Sequence, residues 1–242
     1  MSEQSPKFNI PVAILVAGLI IAGAVYFAGR SDGPAAGTDS GSADAPQAGF
    51  DPTKIQPTTA KDHIRGNFDA PIKIVAFSDL ECPFCKKFHD TLTQTLAHYG
   101  DKVVWVYRHF PLTSLHSKAL EEAVATECAA KLGGNEIFWQ YIDKIFEITP
   151  SNNGLDLAKL PEIAEELGLD KAAFNDCLAS GQFDALIESQ TAEVTAAGGS
   201  GTPFTVIITP SGEKLPLVGF APFEALKQGI DTLLAEDENE TN

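Results

Sequence analysis

The chain has 242 residues, 44% of them hydrophobic, which is enough for one sizeable folded domain with accessory segments. Its 17 basic and 33 acidic residues leave a net charge of -16. That balance argues against a nucleic-acid binder, which needs basic surface to displace counterions, and no nucleotide or phosphate-loop fingerprint is present.

Residues 1–8 read as a short cytoplasmic segment and residues 9–29 as a transmembrane anchor. No charged residue occurs from Ile10 to Ala28, and a helix of that length rises about 28 Å, close to the thickness of a hydrocarbon core. A signal peptide has a shorter apolar region, and the Ala22-Gly23-Ala24 triplet lies inside the run rather than after it. An uncleaved anchor is therefore favoured over a cleaved signal or a buried soluble helix. Lys7 precedes the span, and polar, acidic sequence follows Arg30, so the bulk of the chain is expected on the extracytoplasmic side of the cell membrane. Residues 30–60 are mostly Gly, Ser, Ala, Pro and Asp up to residue 52 and read as a flexible linker.

The folded part is expected over residues 61–236. Ile72–Phe77 is a β-branched and aromatic run, hence a buried strand. Behind it, Cys85, Phe88, Leu92, Leu96 and Tyr99 recur every three or four residues as one helical stripe. Val103–Tyr107 is a second strand. Residues from about 114 to 198 carry helical signals: a stripe of Leu120, Ala123, Val124 and Cys128, another of Phe138, Tyr141, Ile142, Ile145 and Phe146, and a third ending in Phe174, Cys177 and Leu178, with Asp170 as its N-cap. Phe204–Ile208 and Leu215–Phe220 read as a hairpin, followed by a helix over 222–235 and an acidic tail at 237–242. The order strand–helix–strand, helical block, strand–strand–helix implies an α/β fold with one parallel crossover and a late antiparallel pair.

Cys82-Pro83-Phe84-Cys85 carries the chemistry. Cys82 follows a strand and opens a helix, where unpaired N–H groups and the helix dipole favour a thiolate, the nucleophile of disulfide exchange. Pro83 suits the first helical turn, and Lys86 and Lys87 add positive charge. Cys85 lies on the apolar stripe and reads as the shielded, resolving partner. Two other readings compete. His89 gives a C-x2-C-x3-H pattern, but a closed zinc site needs a fourth ligand; a structural disulfide across two residues gains little from loop closure.

Asp62-His63-Ile64-Arg65-Gly66, Phe77 to Cys85, Tyr107-Arg108-His109-Phe110-Pro111-Leu112 and Gly201-Thr202-Pro203 together resemble the DsbA-like branch of the thioredoxin superfamily. The resemblance implies a thioredoxin fold with an inserted helical domain. It also implies a cis bond before Pro203, beside the cysteines, so that Thr202 can pair with an extended substrate. An ordinary strand-start proline is the alternative. Two departures stand out. Many relatives carry an acid six residues before the first cysteine, where this chain has Ala76. Glu81 and Asp79 are candidates for the proton relay such an acid provides, against a reading as solvated loop acids. Phe84 also stands where strongly oxidising relatives have a histidine, so a less extreme potential is expected.

Cys128 and Cys177 both face the helical block. They read as a structural disulfide, which some relatives resemble in having, with two buried thiols or a second redox relay as alternatives. His63, His98, His109 and His116 lack metal-like spacing and read as structural or surface groups; no metal and no cofactor is expected. Trp105 and Trp139 read as core. The function expected is an extracytoplasmic thiol–disulfide oxidoreductase acting on cysteine-containing exported proteins and introducing their disulfides. By resemblance, a quinone-linked membrane partner, DsbB-like or vitamin K epoxide reductase-like, would reoxidise it. An isomerase or reductase, or a non-catalytic zinc- or peptide-binding module, is the alternative.

Overall fold

The alternation of the apolar residues decides which face of each strand meets which layer. The computed structural model describes residues 49–240 and contains five strands: β1 (His63–Arg65), β2 (Ile72–Ser78), β3 (Val103–His109), β4 (Phe204–Ile208) and β5 (Lys214–Val218). Their order in the sheet is β1-β3-β2-β4-β5. Only β2 and β3 are parallel, joined by helix α1 (Pro83–Tyr99) as the expected crossover; β4 and β5 form the antiparallel hairpin. Ile72, Ile74, Ala76, Val103, Trp105 and Tyr107 line one face, packed against α1, the helical block and α6 (Phe223–Glu240). Val75, Phe77, Val106, Phe204 and Val206 line the other, a period-two division.

The helical block lies between β3 and β4. It comprises α2 (Ala119–Ile148), α3 (Lys159–Glu166), α4 (Lys171–Leu178) and α5 (Asp184–Ala196), matching the insertion expected over about 114–198. Helix α2 breaks at Gly134, whose φ of 80° is cheap only for a residue without Cβ. Asp170 caps α4 as expected, accepting from Ala173 N at 2.7 Å. Cys128 on α2 and Cys177 on α4 are disulfide-bonded, so the readings as free thiols or a relay give way to the cross-link. Leu120 departs from its expected stripe and is exposed, while Ala123, Val124 and Cys128 are buried. With a sequence separation of 49, the bond is expected to contribute about 4 kcal/mol by restricting the unfolded chain. Replacing both cysteines by alanine should lower the urea-unfolding free energy by roughly that amount, and peptide oxidation by the folded protein should persist.

Three boundaries differ from expectation. The short edge strand β1 has too few residues to show alternation. It is held by α2, where Asn135 Nδ2 and Trp139 Nε1 both donate to the Ile64 carbonyl, at 2.7 and 2.9 Å, which also blocks the free edge of the sheet. Residues 50–60, expected in the linker, pack on the domain: Ile55 is buried, Asp51 N bonds Ala197 O at 3.1 Å, and buried Arg108 gathers the carbonyls of Gln56 and Pro57 with the carboxylates of Asp62 and Glu193. The polar composition hid a clamp built around one guanidinium. Finally, α6 runs through Glu240, so much of the expected acidic tail is helical. The expected anchor at 9–29 lies outside the described residues; among those described, no helix is long and apolar enough to cross a membrane.

Candidate active site

Strand β2 delivers the chain to the sheet's end, and the turn at Asp79–Glu81 feeds it into α1. Cys82 is the N-cap of that helix in extended conformation (φ -79°, ψ 121°), and Pro83 occupies the first turn. Cys82 makes no side-chain capping hydrogen bond, which leaves the first N–H groups of the helix unpaired beside its sulfur. The thiol is pulled down to about 6, by hydrogen bonding from Cys85 above all, which outweighs the opposing effect of burial; Thr202 and the N–H groups of Cys85 and Phe84 add to it. Burial drives the Cys85 thiol well up instead, and the neighbouring Cys82 reinforces this. Cys85 Sγ accepts from Asp79 N at 3.4 Å. The two sulfurs are thus set apart electrostatically, one poised to ionise and the other to hold its proton.

The Thr202–Pro203 peptide is cis, as the resemblance implied, and it lies beside the pair: Cys82 Sγ donates to the Thr202 carbonyl at 3.4 Å. Phe84 is 54% exposed and offers an apolar surface next to the sulfurs. Lys86 does not serve the thiolate. Its ammonium is occupied by α2's C-terminal carbonyls, 2.7 Å from Thr149 O, while Lys87 sits 5.8 Å from the Phe84 ring. His89 is neither solvent-facing nor free to bind metal at Nε2, which bonds Asp143 Oδ1 at 2.6 Å. Its neighbours Trp105 and Phe146 enclose the ring.

Asp79 and Glu81 are not solvated loop acids; both are almost completely buried. Asp79 organises the turn by accepting from Glu81 N, Leu112 N and His116 Nδ1 at 2.8, 2.8 and 2.9 Å. Glu81 accepts from Gly154 N and Leu155 N, tying the active-site turn to the helical block. Its carboxyl meets that of Glu122 on α2, which burial and the neighbouring acid push up to about 10. His116, read as a structural or surface group, is buried beside this turn. Desolvation works against its charge, but Asp79 more than compensates and its pKa is raised, with Cys82 contributing in the same direction.

Residues 58–214, more than half of the chain, match a family model described as Thioredoxin. The chain belongs to the thioredoxin family. Within that family it is a DsbA-like thiol–disulfide oxidoreductase: DsbA2 of Pseudomonas aeruginosa is 30% identical, with a TM-score of 0.62 over 74% of this chain and 97% of that one. The fold is shared with alpha-DsbA1 of Wolbachia pipientis, at 22% identity and a TM-score of 0.66 over 76% of this chain and 96% of that one. It is also shared with oxidised BdbD of Bacillus subtilis, at 21% and 0.64 over 74% and 96%. Among curated proteins, Na(+)/H(+) antiporter NhaA 1 of Mycolicibacterium vanbaalenii is 40% identical over 87 residues, covering 36% of this chain and 14% of the antiporter. NhaA 3 of Salinispora tropica is 34% identical over 143 residues, covering 59% and 21%. The chain thus spans about a fifth or less of the length of these antiporters.

In this DsbA-like oxidoreductase the cysteines, the cis proline and their neighbours were legible beforehand. His116 and Glu122 were not. The available signal was weak: His116 follows the Tyr107–Leu112 motif, and Glu122 sits in the first turn of a helix, where an acid ordinarily faces water and complements the dipole.

Proposed function

We propose that the chain introduces disulfides into cysteine-containing exported proteins, with Cys82 as the exchanging thiol and Cys85 as the resolving thiol. The domain is taken to work outside the cytoplasm, tethered by the apolar segment at 9–29. One observation carries this reading: the Cys82 thiol, lowered to about 6, lies against the carbonyl before a cis proline while Cys85 is buried behind it. A substrate thiolate attacks Cys82 in the oxidised enzyme, breaking the Cys82–Cys85 bond and leaving the electron pair on Cys85. A second substrate thiolate then attacks the substrate sulfur of the mixed disulfide, and Cys82 departs as the leaving group. The substrate gains a disulfide and the enzyme becomes a dithiol. Thr202 would align the extended substrate, and Phe84 would cover its apolar side chains.

The lowered thiol supports the oxidising direction. Relative to an unperturbed cysteine, ionisation at pH 7 rises about ninety-fold, but intrinsic nucleophilicity falls by roughly twenty-fold. Attack by Cys82 therefore gains only a few-fold, whereas its departure from a mixed disulfide gains in full. Reoxidation is assigned to a quinone-linked membrane protein, DsbB-like or vitamin K epoxide reductase-like. The antiporter activity of the curated relatives is not carried over, because the shared stretch is a small part of those proteins.

Equilibration with glutathione tests the direction. The Cys82–Cys85 couple is expected between about -270 mV, typical of thioredoxin, and about -120 mV, typical of the strongest oxidants of this kind. Phe84 cannot hydrogen-bond the thiolate as a histidine would, which keeps the couple off the oxidising extreme. A potential at or below that of thioredoxin would instead make the protein a reductase.

A further inference from the structure

A largely enclosed thiolate at Cys82 calls for a positive charge, and the lysines after the motif do not supply it: Lys86 binds the carbonyls that end α2, and Lys87 lies over Phe84. Acids are closer. The backbone of Asp79 touches both cysteines, its carbonyl accepting from Cys82 N at 3.2 Å and its N–H donating to Cys85 Sγ at 3.4 Å. Asp79 is 1% exposed, Glu81 is buried in the same turn, and Glu122 shares its proton with Glu81. A further negative charge at Cys82 is costly in this company unless a cation stands with it. His116 occupies that place. It lies in the turn before α2, where its N–H is tied to Leu112 O at 2.8 Å and its carbonyl accepts from Ala119 N at 3.1 Å. The ring is buried, and Nδ1 bonds Asp79 Oδ2 at 2.9 Å, an oxygen it shares with Leu112 N. The other groups facing the ring are Cys82 and the neutral Asn152, whose N–H holds Glu81 O at 2.8 Å. Lys118, two residues on, turns away to donate to Leu155 O at 2.6 Å.

We propose that His116, charged and paired with Asp79, is the positioning residue that balances the Cys82 thiolate and thereby favours the reduced form of the enzyme. The inference rests on Cys82–Cys85 being the redox pair. In one turnover a substrate dithiol becomes a disulfide and gives two electrons to the enzyme disulfide. Of the two protons the substrate loses, one stays on Cys85 and the other goes to solvent, because Cys82 remains a thiolate. The imidazolium is thus opposed by Asp79 alone in the oxidised enzyme, and by Asp79 and the Cys82 thiolate in the reduced one. Burial works against the charged ring, yet Asp79 and then Cys82 hold its pKa above the ordinary value. The coupling is mutual: whatever the thiolate does for the ring, the ring does for the thiolate. His116 touches no substrate and changes no bond; it acts through Asp79 and through its charge.

The test is His116→Asn in the full chain, since the asparagine Nδ2 can still donate to Asp79 but carries no charge. Thiolate absorbance is expected to show the Cys82 ionisation constant about ten-fold lower than in the wild type. Starting from a pKa of about 6, Cys82 then drops from about nine-tenths to about one-half thiolate at pH 7, and the equilibrium constant for reduction by glutathione falls about five-fold. The gap between the two proteins should be widest near neutrality. It should close in acid, where Cys82 holds its proton, and in alkali, where His116 is neutral. A second measurement needs no variant: the His116 ring, followed by NMR in the wild type, should titrate at higher pH in the reduced protein than in the oxidised one. Equal titration in the two redox states would overturn the proposal. So would a His116→Asn protein with wild-type Cys82 ionisation, or one whose potential is displaced equally at every pH, since either makes the ring a structural donor only. A wild type that forms no Cys82–Cys85 disulfide in glutathione would overturn the redox reading itself, and this inference with it.

Discussion

Replacing Cys82 by serine is expected to bring peptide dithiol oxidation down to the uncatalysed background, whereas Cys85→Ser should accumulate a stable mixed disulfide at Cys82. The asymmetry follows from the environments of the two sulfurs. With a pKa of about 6, Cys82 is about nine-tenths ionised at neutral pH, and although it is only 4% exposed it lies beside the Thr202 carbonyl and close in sequence to exposed Phe84, which mark a place for substrate. Cys85 is enclosed by α1 and the sheet, and burial keeps it protonated. A serine at 82 has neither the nucleophilicity nor the leaving ability that exchange requires, and Cys85 cannot substitute from its buried position. A serine at 85 leaves Cys82 free to attack an activated peptide disulfide and removes only the thiol that would expel the peptide again. The check is mass spectrometry of each variant after incubation with an activated-disulfide peptide. A Cys85→Ser protein carrying no peptide at Cys82, or a Cys82→Ser protein that turns over, would remove the basis for the assigned roles.

What could be read beforehand divides along physical lines. The runs Ile72–Phe77 and Val103–Tyr107, and the stripe from Cys85 to Tyr99, announce themselves because burial imposes a period on them. The N-cap position of Cys82 was equally legible, since Pro83 and the end of a strand fix it locally. Convergence of distant groups was not. Asp79 and Glu81 looked like loop acids because nothing in the sequence shows that Leu112 N, His116, Gly154 N and Leu155 N come to meet them. Ile55 looked like part of a linker because the sidechain that collects its neighbours, Arg108, is half a hundred residues away. His63 and His109 likewise share Glu127 only through the register of β1 with β3 and the approach of α2. Each of these depends on tertiary contacts rather than on a pattern in the local chain.

Glu122 leads to the second large effect, on stability rather than on rate. Its carboxyl is fully buried, neither oxygen receives a donor, and Glu81 and Asp79 are the acids around it, with Lys118 the opposing charge. It is therefore neutral in the folded protein up to about pH 10 and donates toward Glu81. In the unfolded chain it ionises near the ordinary value of 4.5. The sign follows directly: above pH 4.5 the folded state holds a proton that the unfolded state releases, so stability falls as pH rises until the folded group itself ionises. The loss attributable to this one residue is about 3 kcal/mol by pH 7 and about 5 kcal/mol by pH 8. Glu122→Gln keeps the shape and the donor but cannot ionise in either state. It is expected to match the wild type in urea unfolding at pH 4.5 and to exceed it progressively toward pH 8. Parallel stability curves for the two proteins across that range would mean that Glu122 is charged in the fold, and the acid pair beneath the active-site turn would then have to be held together by something other than a shared proton.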